Sequence, residues 1–485
     1  VDKNNVNQNY SSLTVRDLSK KIEASEISPI ELVKYYIDRI KKLNCIYNTF
    51  VTIFNENEIY ENAREVERDI KRGRYRGPLH GIPVSVKDNF FVKDLRCTAG
   101  SKLLSNFIPS YDAFIVRKLK KSGAILIGKN SLNEFAAGIT GVNQFYGNTK
   151  NPWNKLRISG GSSGGSAAAV SSGMIPMSVG TDTGGSVRVP SALCGVVGFK
   201  PTFGLVSRHG VIPLSPSLDH VGYISKSVWD IAALLEFTAG WDPLDPTTVQ
   251  RRQLAYTKII EEPIVDPISI GIPTNYFMNY LDRDIERCFY NFLDRIRTIV
   301  SKINYISLNN TEHFFGTWRK IRLAEASVMH LDMWNTRLKD YSEEVRQQLK
   351  EGKRILAYDY LHSKKIICEI KADVSHGFAS GHFDIIAVPT TITAAPLFTE
   401  LVKIQIDNNV IRTREALLRN TIIFNSIGLP AISIPIGLTT AKMPVGVQLI
   451  SREFDESKLL SLAYLYEQKN SEMSKLMLSC PSLKY

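Results

Sequence analysis

Two turns rich in glycine and serine, residues 160–165 (GGSSGG) and 181–186 (TDTGGS), lie on either side of one helix-forming run and one apolar run in this 485-residue chain. Glycine lets a backbone pass close to a ligand and adopt positive φ without strain. Both turns are therefore suited to presenting serine hydroxyls beside free N–H groups. A presented serine next to bare amides is the equipment of acyl transfer, because the hydroxyl attacks a carbonyl and the amides take up the charge that develops on its oxygen. In the second turn the successive N–H groups of Thr183, Gly184, Gly185 and Ser186 can point at one spot and form such an oxyanion hole. A serine hydroxyl is a weak nucleophile that needs a neighbouring base, and no histidine lies in either turn. A lysine can take that part only when neutral, its pKa brought down from ~10.4 by burial or nearby positive charge.

Competing uses of the same residues are weaker. Residues 160–164 and 161–165 both satisfy G-x-S-x-G, but that elbow needs a strand immediately before it, and the preceding 151–158 (NPWNKLRI) is polar and contains proline. A phosphate loop would continue into lysine, whereas this turn runs into Ser-Ala-Ala-Ala. Small residues chosen only for tight packing would not require Ser186 where it stands.

The elements that must hold these turns are legible around them. Ser28-Pro29-Ile30-Glu31 reads as a helix start, with serine as cap, proline first and glutamate third, and Val33, Tyr36, Ile37 and Ile40 then share one face. The apolar run 82–86 (IPVSV) predicts a strand that delivers Lys87, Asp88 and Asn89 at its end, where α/β proteins keep their chemistry. Helices over 113–119, 163–172 and 187–193 alternate with strands over 124–128 and 175–179, which predicts a layered α/β core. The pattern turns more helical over 242–380, with a strand at 268–272, before strands at 385–388, 431–435 and 445–450 rejoin the sheet. The expected organisation is one unit over 1–485, comprising N-terminal helices (11–75), a catalytic core (76–241), the more helical variable section (242–380) and a sheet-completing section (381–485).

Composition bounds the class. At 44% hydrophobic and 22% charged residues the chain is that of a globular protein, and no apolar run approaches the roughly 18 residues of a membrane span. The first residues, VDKNNVNQNYSSL, lack the apolar core of a secretory signal, so a cytoplasmic location is expected. Six cysteines with no C-x-x-C pair read as reduced thiols, and none of eight histidines falls in an H-x-H or H-E-x-x-H spacing, so neither metal nor cofactor is expected. The net charge of +12 could mark a nucleic-acid partner, yet the densest basic stretch, 64–76, mixes in Glu65, Glu67 and Asp69 and reads as the solvated face of a helix ending near Gly73.

Over most of its length the chain resembles the amidase signature family of serine hydrolases. The resemblance is carried by GPLHGIPVSVKDNF from Gly77, GKNSLNEFAAGITG, GGSSGGSAAAV, GTDTGGSVRVPSALCG and GFKPTFGLVSRHGVIPLSPSLDHVG, then by FNSIGLPAISIPIG and MPVGVQLI. It implies an α/β amidase-signature fold, a central mixed β-sheet flanked on both faces by helices. It also implies Ser186 as nucleophile, Ser162 in a cis peptide as proton relay and Lys87 as the ultimate base, and the 24-residue step between the serines agrees with the family. Ser163 is expected to hydrogen bond near the relay or to cap the following helix, and Asp182 and Arg188 to brace the nucleophile turn as an ion pair. His220 and Cys194 fall at positions the family does not use for chemistry and are read as structural.

The reaction so implied is hydrolysis of carboxylic acid amides to acid and ammonia through an acyl-enzyme. The alternative is the glutaminase subunit of a tRNA-dependent amidotransferase, the one case in which nucleic acid is expected as a partner. That branch typically carries SIRQP and SLDQIG, whereas this chain has SVRVP and SLDHVG, and Leu418 falls where the branch has an aspartate gripping the amino group of glutamine. The resemblance therefore points to a stand-alone enzyme for a small amide, with a homo-oligomer allowed. Its acyl pocket is expected from the helical section and the loop at 133–140.

Overall fold

The computed structural model describes residues 9–471, 475, 478 and 480–484. The first eight residues of the polar N-terminal stretch lie outside the described residues. Thirteen strands are described: β1 (Phe50–Ile53), β2 (Pro83–Lys87), β3 (Ile125–Asn130), β4 (Met177–Asp182), β5 (Val197–Lys200), β6 (His220–Ser225) and β7 (Ser269–Pro273), followed by β8 (Lys302–Ile306), β9 (Ile385–Pro389), β10 (Lys403–Ile406), β11 (Asn409–Arg412), β12 (Ala431–Leu438) and β13 (Pro444–Ser451). Eleven of them form one sheet in the order β1-β3-β2-β4-β6-β5-β12-β13-β9-β7-β8, and β10 and β11 make a separate hairpin. Pairing is mixed: β3, β2 and β4 run parallel, as do β9, β7 and β8, and the strands between them are antiparallel.

Strands β2, β3, β4, β5, β6, β9 and β13 are buried along their whole length, which requires cover on both faces and explains why they read as continuous apolar runs. Helices Val228–Thr238, Glu456–Lys469, Arg283–Ile296, Gly164–Ser171 and Arg188–Cys194 supply that cover. The resulting mixed sheet with flanking helices is the expected fold class.

Local differences have local causes. Ser28 caps helix Pro29–Tyr47 by accepting from Ile30 N–H, but Glu31 does not close a capping box; its carboxylate accepts from the Tyr10 hydroxyl at 2.6 Å. The basic stretch begins on helix Glu56–Lys71, which stops before Gly73 at φ +74° as its pattern predicts, and Arg72, Arg74 and Arg76 follow the helix end. Strand β4 runs three residues beyond the expected 175–179 and carries Thr181 and Asp182 on its end rather than in the turn. Strands β5 and β6 escape sequence patterning because Gly198 and Gly222 look like breakers. Both are close-packing positions: a Cβ on Gly198 would lie 2.3 Å from Ser191 Oγ, and one on Gly222 would lie 2.6 Å from the Phe199 carbonyl.

Candidate active site

Because β2 and β4 are parallel neighbours, their C-terminal ends open at the same edge of the sheet. Lys87 is the last residue of β2, and Thr181 and Asp182 end β4 just before the TDTGGS turn continues to Ser186. Helix Gly164–Ser171 packs on β2, β3 and β4, bringing the GGSSGG turn at its start to the same place. Only small residues permit that approach, since a Cβ on Gly165 would stand 2.5 Å from the Ser131 carbonyl. Packing and presentation are thus both built into the same glycines.

Lys87 Nζ lies 2.7 Å from Ser162 Oγ and 2.8 Å from Thr181 Oγ1, with lysine and Ser162 wholly buried. The peptide between Gly161 and Ser162 is cis, as the resemblance implies. Asn89 donates to Thr181 Oγ1 at 3.1 Å and so fixes the hydroxyl against which Lys87 rests. Among the described residues Lys87 forms no ion pair, although the neighbouring strand's buried Lys129 has Asp88 at 3.5 Å. Burial lowers the Lys87 pKa to about 7, against the opposing pull of the Asp182 and Asp219 charges. Neither carboxylate pairs with the amine: Asp182 is committed to Arg188, and Asp219 accepts from Thr183 Oγ1 and from the Leu214 and Ser215 N–H groups.

The two serine turns are joined through backbone, Ser163 N–H donating to the Ser186 carbonyl at 3.1 Å. The Ser163 side chain does not cap the helix; its hydroxyl donates to the Thr181 carbonyl at 3.1 Å, so the first of its two expected roles is the one it fills. The Ser186 hydroxyl makes no hydrogen bond among the described residues, leaving the last link to Ser162 open in the resting chain; such bonds often tighten only around substrate. Gly185 N–H donates to Asp182 Oδ1 at 2.7 Å, which removes it from the expected oxyanion hole. Among the described residues the N–H groups of Thr183, Gly184 and Ser186 have no such partner and stay available.

Asp182 and Arg188 form the expected ion pair at this turn. Arg188 Nε and Nη2 fork onto the two Asp182 oxygens at 3.1 and 3.0 Å, with both side chains fully buried. Burial opposes ionisation of Asp182, but the Arg188 charge and hydrogen bonds outweigh it and hold the carboxyl well below its usual range. Asn425 extends the fork, its amide donating to Asp182 Oδ1 at 2.8 Å, and Gln448 Oε1 accepts from Arg188 Nη1 at 2.9 Å. The outer side of the turn is closed by Trp318, whose indole N–H lies 3.4 Å from the Thr183 carbonyl, and by Thr421, which donates to the Gly184 carbonyl at 2.5 Å. A Cβ on Gly184 would sit 2.6 Å from Trp318, and Gly185 holds φ +136° with Thr421 2.3 Å from any Cβ, so both positions demand glycine.

Thr181, Asn425, Gln448, Trp318 and Thr421 are site residues that sequence reasoning misses. Thr181 has a signal, since it precedes Asp182 at the end of an apolar strand; the others come from segments more than a hundred residues away. His220 is buried on β6 with Nδ1 2.7 Å from the Leu218 carbonyl, and burial pushes its pKa well down, so it is a neutral structural ring. Cys194 is buried with its thiol on the Ser159 carbonyl. The 133–140 loop borders the first turn, Asn133 Oδ1 lying 2.2 Å from where a Gly161 Cβ would be. Among the described residues no helix is long and apolar enough to cross a membrane.

The model of the family described as Amidase matches residues 31–460. A glutamyl-tRNA(Gln) amidotransferase subunit from Legionella pneumophila is 36% identical, covering 94% of this chain and 96% of the relative. The solved structure of the corresponding subunit from Thermotoga maritima superposes with a TM-score of 0.79 at 32% identity, covering 96% of each chain. A peptide amidase from Stenotrophomonas maltophilia superposes with a TM-score of 0.82 at 28% identity, covering 95% of this chain and 98% of that one.

Two stability measurements check this electrostatic reading. A lysine whose folded pKa is about 7 costs stability as pH falls from the unfolded value near 10.5 and carries most of that cost at pH 7.5. Lys87→Met should therefore melt higher than the parent at pH 7.5, with the gap narrowing towards pH 10; an equal or lower melting temperature at pH 7.5 contradicts a buried neutral amine. Asp182→Asn leaves Arg188 as an uncompensated buried charge and should cost about 3–5 kcal/mol in denaturant unfolding. A loss below about 1 kcal/mol would mean that the fork does not brace the turn.

Proposed function

The chain belongs to the amidase family, whose members act as hydrolases on amide C–N bonds, and from that premise we propose that it is a stand-alone amidase releasing carboxylate and ammonia from carboxylic acid amides. The observation that carries this reading is Lys87 Nζ at 2.7 Å from Ser162 Oγ with no carboxylate paired to it. A neutral amine has two hydrogens and one lone pair. With one hydrogen held on Thr181 Oγ1, the lone pair is free to accept the Ser162 proton.

Ser162 then takes the proton of Ser186 as Ser186 Oγ attacks the amide carbon. The oxygen that becomes negative is received by the N–H groups of Thr183, Gly184 and Ser186, and Asp182 keeps the Gly185 amide as part of the scaffold. Reversal of the proton path through Ser162 protonates the departing nitrogen, ammonia leaves, and the acyl group stays on Ser186. Water, deprotonated by the same path, releases the acid.

A second reading is favoured by the relatives named as glutamyl-tRNA(Gln) amidotransferase subunits, in which the chain would supply ammonia to a larger assembly. Leu418 weighs against it. The side chain is buried within an apolar cluster that includes Ile422 and Phe424, so that position offers a substrate amino group no carboxylate.

Ammonia release from a panel of aliphatic and aromatic amides, with glutamine and asparagine alongside, separates the two readings. The purified chain alone should turn over simple amides; glutamine hydrolysis that appears only with partner proteins and charged tRNA would assign it to the assembly. Ser186→Ala should abolish acyl-enzyme formation in a mass-spectrometric trap, whereas continued acylation would place the nucleophile elsewhere. Ser162→Ala should lower kcat ~10²–10⁴-fold with KM little changed, the range expected for a lost proton-transfer group. A near-normal kcat would remove Ser162 from the relay.

A further inference from the structure

Helix Phe314–Met329 carries Trp318, Arg322 and Ala326 at four-residue intervals and therefore on one face. At one end of that face Trp318 closes the nucleophile turn through the Thr183 carbonyl. At the other, Ala326 packs in one apolar cluster with Ala136 and Ala137 of the loop that borders the Ser162 turn. Arg322 stands between these two contacts, about 6 Å along the axis from Trp318.

Its surroundings are unusual for an arginine. Four arginines are buried among the described residues, and three have partners: Arg188 has Asp182, Arg39 donates to the Gly173 and Ser172 carbonyls, and Arg419 to the Tyr276 carbonyl. Arg322 is 3% exposed, makes no hydrogen bond or ion pair among the described residues, and has Nε and Nη1 buried without a partner. Its guanidinium carbon lies 5.3 Å from the Trp318 ring centroid, which positions the fork but does not neutralise it. The nearby acids are engaged elsewhere, Glu351 with Arg319 and Glu344 with Arg414, and those two arginines bring like charge towards Arg322. A guanidinium stays charged, and a buried charge without a counter-ion is strongly unfavourable unless something supplies one.

We propose that the amide substrate carries a carboxylate on its acyl part and that Arg322, held on Trp318 beside the nucleophile turn, is the residue that receives it. Because Leu418 gives a substrate amino group no partner, the class indicated is the monoamide of a dicarboxylic acid rather than an α-amino acid amide. A planar guanidinium matches a carboxylate through two parallel N–H donors, Nε with Nη2 or Nη1 with Nη2, and among the described residues no Arg322 guanidinium nitrogen makes a hydrogen bond that would occupy either edge. This assignment rests on the amidase reading above and names the substrate class for the same site.

The test is kcat/KM for succinamate, glutaramate and adipamate against the uncharged alkyl amides of matching length, in the parent chain and in Arg322→Met and Arg322→Lys. The parent should prefer its best carboxylate-bearing amide ~10–100-fold, the range of one charge-assisted pair. In Arg322→Met that preference should fall towards unity, with the loss in KM for the charged series, and Arg322→Lys should retain part of it. Equal or better use of the uncharged amides by the parent overturns the proposal without any variant, as does an Arg322→Met enzyme that keeps the parent's preference. Absence of turnover in both series of the parent is a different failure: it removes the amidase reading and this assignment with it.

Discussion

An amine sealed beneath a sheet with only hydroxyl groups beside it does not hold a proton at its ordinary pKa, and the rest of this structure follows from keeping Lys87 in that state. The contrast with Lys129 makes the point. Both lysines are wholly buried at the ends of adjacent parallel strands, yet Lys129 has Asp88 at 3.5 Å while Lys87 has Ser162 and Thr181. The carboxylate that could have paired with Lys87, Asp182, is turned the other way and forked by Arg188. Asp182 thus does two things at once: it leaves Lys87 without a counter-ion, and it ties down Gly185 N–H so that the turn ending in Ser186 keeps its shape.

Rigidity of that turn is drawn from distant parts of the chain. Trp318 comes from a helix more than a hundred residues downstream, Thr421 and Asn425 from the segment leading into β12, and Gln448 from β13. The wide mixed sheet is what allows this convergence, since β4 and β13 belong to the same sheet and helix Arg188–Cys194, which follows the turn, packs on β13. Buried polar groups at this density are tolerable only when nearly every donor and acceptor is satisfied. Among the described residues Arg322 is the buried arginine whose side chain makes no hydrogen bond or ion pair, which is why it carries the inference about substrate charge.

Much of the candidate site is legible in sequence because it is local. The GGSSGG and TDTGGS turns, the strand ending in Lys87 and the Asp182–Arg188 pair lie within short segments whose residue types announce their use, and each is found at the site. What sequence misjudges is the accounting of backbone groups: four amides look free in the second turn, and one is spent on Asp182. Glu31 looks like the third member of a capping box and bonds Tyr10 instead, a choice made by a residue twenty-one positions away. Thr181 is legible only in part, since its partner Lys87 reaches it across the β2–β4 pairing. Arg322 cannot be found at all from sequence, because an arginine in a mixed helix is ordinarily solvated and only packing shows it orphaned.

The most direct test of a neutral Lys87 acting through Ser162 on Ser186 is the pH dependence of covalent labelling by a fluorophosphonate, with the modified residue identified by peptide mass spectrometry. The label should sit on Ser186, and its second-order rate constant should rise as pH passes through about 7, where Lys87 loses its proton, and level off above. Lys87→Met should give a low rate without that rise. A rate in the parent that is flat across pH 6–9, or a label on any other residue, would contradict the relay.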